Sequence, residues 1–306
     1  MAGITGKDAI LTRYAARLDE LDRAKGQSLT RDAFRRLRRN KAAMVSIVVI
    51  TLIVLAAIIG PYFMPWTVRQ VDYTAFRSPP DWSKFHYLGT DQNGRDLLAR
   101  LLQGTQMSLL VAAVATVVSV TIGVTYGAVA GYIGGRVDAI MMRFVDVMYA
   151  LPYILFVIIL VVIFGRSPVL LFIGIGALEW LTMARIVRGQ TLSLKEKEFV
   201  EAARAGGART RTVVFRHIVR NLTGPVVIYA TLTVPEIIIT ESFLSYLGLG
   251  VQEPLTSLGT LISNGAAVAE VMPWLLIPPA VVLVTLLLGL TFIGDGLRDA
   301  LDPKDR

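Results

Sequence analysis

The chain of 306 residues contains no cysteine and only two histidines, His86 and His217. The first absence excludes disulfides, thiolate metal sites and cysteine nucleophiles. The second leaves no imidazole cluster: the two lie far apart in the sequence and, on the topology derived below, on opposite sides of a membrane. Neither a histidine metal centre nor a Ser/His/Asp triad is available. Charge is scarce as well, at 18% of residues against 54% hydrophobic, with a mean hydropathy of +0.59. So apolar a mixture does not suit a soluble chain of this length, and the bilayer is the first solvent to consider.

A helix needs roughly 20 apolar residues to cross about 30 Å of hydrocarbon. Six stretches qualify as spans: Ala42 to Phe63, Ser108 to Ile133, Ala139 to Phe164, Val169 to Ile186, Val226 to Leu249 and Trp274 to Ile293. Arg31, Arg35, Arg36, Arg38, Arg39 and Lys41 crowd the start of the first, which puts the N-terminus in the cytoplasm. Six crossings return the C-terminus to the same side. The alternation also assigns the loop Arg188 to Leu222 to the inside, with Arg188, Lys195, Lys197, Arg204, Arg209, Arg211, Arg216 and Arg220. The segment Met64 to Gly104 fits less well, since it lies outside yet carries five basic residues beside four Asp. The first span is too long, and begins too far along, for a signal peptide, so it reads as a retained anchor. Because basic residues gather at span ends, the net charge of +8 is explained by topology and no nucleic-acid partner is expected.

This organisation divides the chain into a basic tail (1–41), a first transmembrane helix (42–63), an extracytoplasmic loop (64–104), a core (105–295) interrupted by the basic loop (188–222), and a short cytoplasmic tail (296–306). In the tail, Leu29, Phe34 and Leu37 among arginines suit a short helix lying on lipid headgroups, or a solvated flank that only sets orientation. Gly123, Gly127 and Gly131 recur at every fourth position, so one helix face admits a close neighbour. Pro152, Pro168, Pro235 and Pro273 are expected to bend or end helices.

Gly89 to Asp96 (GTDQNGRD) has the glycine spacing of a phosphate-binding loop, but Arg95 and Asp96 stand where Lys and Ser/Thr are required. No nucleotide site is expected in this chain. A charge inside a span costs about 2.5–3.5 kcal/mol or more, so it is expected to face the bundle interior or water. Asp146, Glu179, Glu236 and Glu241 are such residues. For Asp146, pairing with Arg143 three residues earlier is the simpler reading. Glu236 and Glu241, with Ser242 and Ser245 behind Pro235, form a candidate wall of a substrate path. For Glu241, helix-to-helix pairing stands equally open.

In the basic loop, Phe199, Ala202, Ala203 and Gly206 fall at i, i+3, i+4 and i+7, which predicts a short helix with a smooth face fit for a groove, ended by Gly207. A second helix, with Val213, Val214, His217 and Ile218 on one side, is expected to follow. The pair could instead lie on anionic lipid. Glu201-Ala202-Ala203 followed by Gly207 resembles the EAA loop of bacterial ATP-binding-cassette importer permeases. Tyr87-Leu-Gly-Thr-Asp-Gln-Asn-Gly-Arg-Asp96, Gly134-Gly-Arg-Val-Asp138, Met142-Arg-Phe-Val-Asp146, Pro152 and Glu241-Ser-Phe-Leu-Ser-Tyr-Leu-Gly-Leu-Gly250 are similar to the C-type permease subunit of dipeptide and oligopeptide importers. Arg220 departs from the pattern, standing where the family usually has proline.

The resemblance implies an all-α membrane protein with a five-helix type I importer core, like that of methionine importers, plus an N-terminal helix, in the bacterial cytoplasmic membrane. It implies a homologous B-type permease, two ATPase subunits and an extracytoplasmic peptide-binding protein as partners. ATP and Mg would be held by the ATPase subunits, so this chain has no cofactor of its own and works by changing conformation. It further implies that Glu198, Phe199, Glu201, Ala202, Ala203, Arg204, Gly206, Gly207, Arg209 and Arg216 form the ATPase-coupling contact. Close relatives also carry glutathione and nickel chelates. A secondary transporter using Glu236 and Glu241, or a passive scaffold, are the readings from other classes; the groove-fitting helix has no task in the first, and the bent polar fifth span argues against the second.

Overall fold

A computed structural model describes residues 29–165 and 167–301. The described residues form twelve α-helices: α1 (Leu29–Arg39), α2 (Lys41–Ile59), α3 (Leu97–Ile133), α4 (Gly135–Ala150), α5 (Tyr153–Phe164), α6 (Pro168–Leu194), α7 (Glu198–Ala205), α8 (Thr210–Thr212), α9 (Val219–Asn221), α10 (Thr223–Tyr246), α11 (Leu258–Ala266) and α12 (Ile277–Leu301). Among the described residues no β-strand forms, only three isolated bridges within residues 71–96.

Among the described residues, four helical stretches are long and apolar enough to cross a bilayer: Lys41–Tyr62, Leu97–Ile133, Thr223–Tyr246 and Pro273–Leu301. The stretch expected to cross once as Ala139 to Phe164 is broken instead, with α4 and α5 meeting at 82°. Pro152 is the cause, because its ring pushes the preceding residue out of the helical region. Leu151 accordingly sits at φ −76°, ψ 126°, and Pro152 caps α5. The expected span Val169 to Ile186 lies in α6, whose 27 residues reach about 40 Å. That helix carries Glu179, Arg185 and Arg188, and α3 covers one of its sides through Trp180, Met183, Ala184, Val187 and Thr191, all buried.

The packing of α3 on α6 follows from the glycine stripe. A Cβ on Gly123 would stand 2.6 Å from Met183 Cβ, and one on Gly131 would stand 2.9 Å from the Arg188 carbonyl; Gly127 lies hard against the Ala184 carbonyl. The stripe therefore sets the interhelical distance backbone to backbone. Because Gly131 meets Arg188 and Thr191, the end of α3 near Ile133 and the basic loop share one end of the bundle. The start of α3 and residues 60–96 occupy the other end. The α3 helix starts at Leu97, eleven residues before the expected Ser108, since Asp96 caps it by accepting from the Ala99 amide at 2.8 Å. α12 packs against α2 and α10, and α1 folds onto the end of α12, where Gly296 meets Ala43 and Leu37. Phe34 of α1 stays exposed with Arg38 over its ring, and the side chain of Leu29 lies outside those described.

Candidate functional site

The basic end carries the predicted short helix. α7 spans Glu198–Ala205 and ends in a double hydrogen bond: Gly207 N–H to the Arg204 carbonyl and Ala208 N–H to the Ala203 carbonyl, at 2.9 and 3.0 Å. This closure needs a left-handed residue at the turn, and Gly207 supplies it at φ +76°. One side of α7 is an anchor. Val200 is fully buried in a cluster with Val213, Val214, Ile218 and Leu222, against Val124, Ala128, Met183 and Val187 of α3 and α6. Arg204 lies over the Tyr132 ring and donates to its hydroxyl at 3.1 Å. The other side is open: Glu198, Phe199, Glu201, Ala202 and Gly206 are exposed.

The groove-fitting face predicted from Phe199, Ala202, Ala203 and Gly206 is thus rotated. Ala203 is half-buried and packs with the anchor cluster, so the open surface centres on Ala202 and Phe199. The second helix forms as α8, a π-helical turn at Val213–Ile218, and α9. Val213, Val214 and Ile218 are buried as expected, with His217 half-buried, while Arg209 and Arg216 are exposed. Arg220 sits exposed in α9, and its carbonyl accepts from Thr223 Oγ1 at 2.9 Å. Two arginines of α6 brace this end: Arg188 grips Asp138 with Nε and Nη2 at 2.5 and 2.7 Å. Arg185 takes Asp146 at 2.8 Å, so the Asp146 partner comes from another helix rather than from the neighbouring Arg143.

The candidate path residues separate. Glu236 is exposed on the side of α10, and Glu179 is half-buried on α6. Glu241, Ser242 and Ser245 are buried inside the chain. Glu241 accepts from Ser108 Oγ at 2.8 Å and from Ser245 Oγ at 2.7 Å. Ser257 Oγ donates to Ser245 Oγ at 3.1 Å, and the Leu258 amide donates to Ser108 Oγ at 3.2 Å. The carboxylate therefore ties α10, α3 and the start of α11 together. Five residues make a turn of about 140° on a helix, which is why Glu236 and Glu241 cannot share a wall.

At the far end, the segment Gly89 to Asp96 is a turn rather than a phosphate cradle. Gly89 and Gly94 take φ +83° and +73°, and Asp91 Oδ1 accepts from the amides of Asn93 and Arg95. His86 is fully buried, with Nδ1 2.9 Å from Asp96 and Nε2 3.3 Å from Asp72, and it stacks on Trp66 at 4.5 Å between centroids. Arg95 donates to Asp91 and to Glu253, each at 2.8 Å. That hydrogen bond holds the Glu253 carboxyl below its usual range. Thr74 does the same for Asp72 through its hydroxyl and amide. Sequence reading missed this ionic cluster, because Glu253 stands 158 positions from Arg95. It missed α11 too, whose nine residues are too short to register as a span.

Residues 123–306, more than half of the chain, match the family described as binding-protein-dependent transport system inner membrane component. Residues 28–80 match the N-terminal TM domain of oligopeptide transport permease C. The chain is 55% identical over 281 residues to the oligopeptide transport system permease protein OppC of Escherichia coli K12, covering 92% of this chain and 93% of that one. It is 44% identical over 282 residues to its namesake in Bacillus subtilis, covering 92% of each, and 41% identical over 290 residues to the dipeptide transport system permease protein DppC of the same organism, covering 94% and 90%. With its apolar helices, the bent pair and the anchored short helix, this chain belongs to the binding-protein-dependent transport system inner membrane components, as an all-α, multi-pass permease of the ABC importer type.

Proposed function

We propose that the chain is the permease subunit of an ATP-driven importer of oligopeptides, supplying half of the translocation path and one of two coupling contacts. Its partners are a homologous permease, two ATPase subunits that bind ATP and Mg, and an extracytoplasmic protein that delivers the peptide. The chain itself performs no catalysis. Both termini and the basic loop face the cytoplasm, so residues 60–96 and α11 face outward. The relatives at 41–55% identity over nearly the whole chain support the substrate class. The observation that carries the coupling assignment is α7: a helix pinned to its own subunit by Val200 and Arg204 while it offers Phe199, Ala202 and Glu198 outward. Such a helix can pass on a push in either direction without bending, and ATP can bias the bundle only by favouring one of its states. Glu201, Gly206, Gly207, Arg209 and Arg216 border that face. On the path, Glu236 is the residue of the candidate set that is open to a partner.

The test is a complex reconstituted in proteoliposomes with its ATPase subunits and binding protein, taking up a labelled tetrapeptide. Ala202→Trp should insert normally and keep the chain folded, because the Ala202 side chain is exposed, yet abolish ATP-driven uptake. Ala203 is a poorer probe, since enlarging it disturbs the anchor cluster. Normal uptake by Ala202→Trp would remove the coupling assignment. Uptake driven by an ion gradient without ATPase subunits would remove the importer reading altogether.

A further inference from the structure

Arg100, in the first turn of α3, is a buried cation with donors left unused. It is 1% exposed, yet its Nε and Nη1 have no hydrogen-bond partner. Its Nη1 lies 3.2 Å from Asp91 Oδ2 and its Nη2 3.7 Å from Glu253 Oε1. Arg95 takes the same two oxygens at 2.8 Å each. Two guanidinium groups therefore compete for one pair of acceptor atoms, and the buried one loses. Idle donors on a buried charge are costly, so the arrangement calls for a further acceptor.

The place for one is the cavity of about 190 Å³ beside it, lined by Gln92, Asn93, Asn264, Arg95, Arg100 and Glu253. The two carboxylates at its edge are not equivalent. Asp91 is built into the turn by the Asn93 and Arg95 amides and is mostly covered. Glu253 is 54% exposed, lies in the stretch between α10 and α11, and contacts the cluster through Oε1 alone. It is the removable member. With Glu253 swung away, Arg95 and Arg100 face Asp91 only, leaving one unmatched positive charge and an uncovered guanidinium.

We propose that this cavity is a carboxylate socket on the outward face of the permease, in which Glu253 is an internal placeholder that an acidic side chain of the delivering protein displaces to reach Arg100. The inference rests on the importer reading above, which supplies a delivering protein. The size of the cavity favours a side chain over the transported peptide: ligand sites usually enclose about 300–1,000 Å³, and this one holds a carboxylate and a few methylenes. Its apolar lining, Leu97, Leu261 and Leu275, suits those methylenes. The attraction of an approaching acidic side chain to the two arginines is screened by salt, whereas the buried pair, once made, acts chiefly on dissociation.

The experiment measures ATP hydrolysis by the whole complex in nanodiscs against the concentration of peptide-loaded binding protein, at low and high salt. Arg100→Gln should raise the half-saturating concentration about tenfold or more and flatten its salt dependence, with the maximal rate kept. Glu253→Gln should lower it, because the placeholder no longer competes. Half-saturation unchanged in both variants overturns the proposal, and so does Glu253→Gln weakening the interaction, since the acid would then be a plain structural partner. If Arg100→Gln fails to reach the membrane, the exposed Glu253→Gln decides alone. A shift seen with free-acid peptides and absent with C-terminally amidated ones would assign the socket to the substrate and overturn docking. If loaded binding protein does not stimulate even the unmodified complex, the importer reading falls and takes the socket with it.

Discussion

Glu241 holds two serine hydroxyls in a place no solvent reaches, and what it would leave behind defines its weight. Glu241→Ala strands the hydroxyls of Ser108 and Ser245 at about 1–3 kcal/mol per unpaired group, whereas Glu241→Gln keeps an acceptor for one and a donor toward the other. Thermal unfolding in detergent should show a clear loss for Ala and less than half of it for Gln; equal losses would mean that packing volume, not hydrogen bonding, matters there. Glu253 gives a prediction in pH. The Arg95 hydrogen bond lowers its folded-state pKa from the ordinary 4.5, so the link contributes in full above that value and fades as pH falls through the lower one. Backbone protection from hydrogen exchange across residues 250–256 should fall below about pH 4.5 in the natural chain, and stay flat over that range in Glu253→Gln. In the sequence, Glu241 was legible as a carboxylate in a span that needed shelter. Its shelter was not, because Ser108 lies 133 positions away and only the packing of α3 on α10 joins them. His86 was equally opaque. A lone histidine carries no signal of the two acids that face its two nitrogens.

Elements were more legible, since periodicity is a local property. The every-fourth glycine stripe of α3 announced a close neighbour, and α6 is that neighbour with its backbone against Gly123, Gly127 and Gly131. Gly127→Ala would drive a methyl group into the Ala184 carbonyl and the Arg188 amide, atoms that cannot rotate away. The helices must then part, at a cost of about 1–3 kcal/mol or more. Gly224→Ala in the first turn of α10 meets nothing within 4 Å and should be neutral or stabilising by a few tenths of a kcal/mol to about 1. The yield of folded protein extracted from membranes separates them; equal yields would show that α3 and α6 do not rely on close approach. The sequence pattern of α7 was readable for the same reason, through Glu198 to Gly207, but its rotation was not. Spacing says which residues share a face, and only the anchor cluster around Val200 decides which face is turned inward. The break at Pro152 was visible as a helix-ender, while its 82° angle was not, because α4 packs on α3 and α6 and α5 packs on α6, contacts that local spacing does not carry.

For the whole molecule the decisive quantity is which end of the bundle meets the cytoplasm. The glycine stripe places the basic loop and the end of α3 together, and residues 60–96 at the opposite end, so one label at each end fixes the orientation. The absence of cysteine makes the measurement clean, because a single introduced thiol is the only one in the chain. Arg69→Cys and Glu196→Cys both alter exposed side chains in loops, one at each end. The basic residues of the loop and of α1 bias orientation because cytoplasmic loops retain Lys and Arg. Five basic residues between Met64 and Gly104 pull the other way, but Arg95 and Arg100 are bound up with Asp91 and Glu253. In intact cells, a thiol reagent that does not cross the membrane should label the Arg69→Cys variant readily, given access through the outer layers, and leave the Glu196→Cys variant unlabelled until the cells are opened. Early labelling at position 196 would invert the bundle. It would then put α7 outside, where no ATPase could reach it, and the coupling contact and the outward socket at Arg100 would fall together.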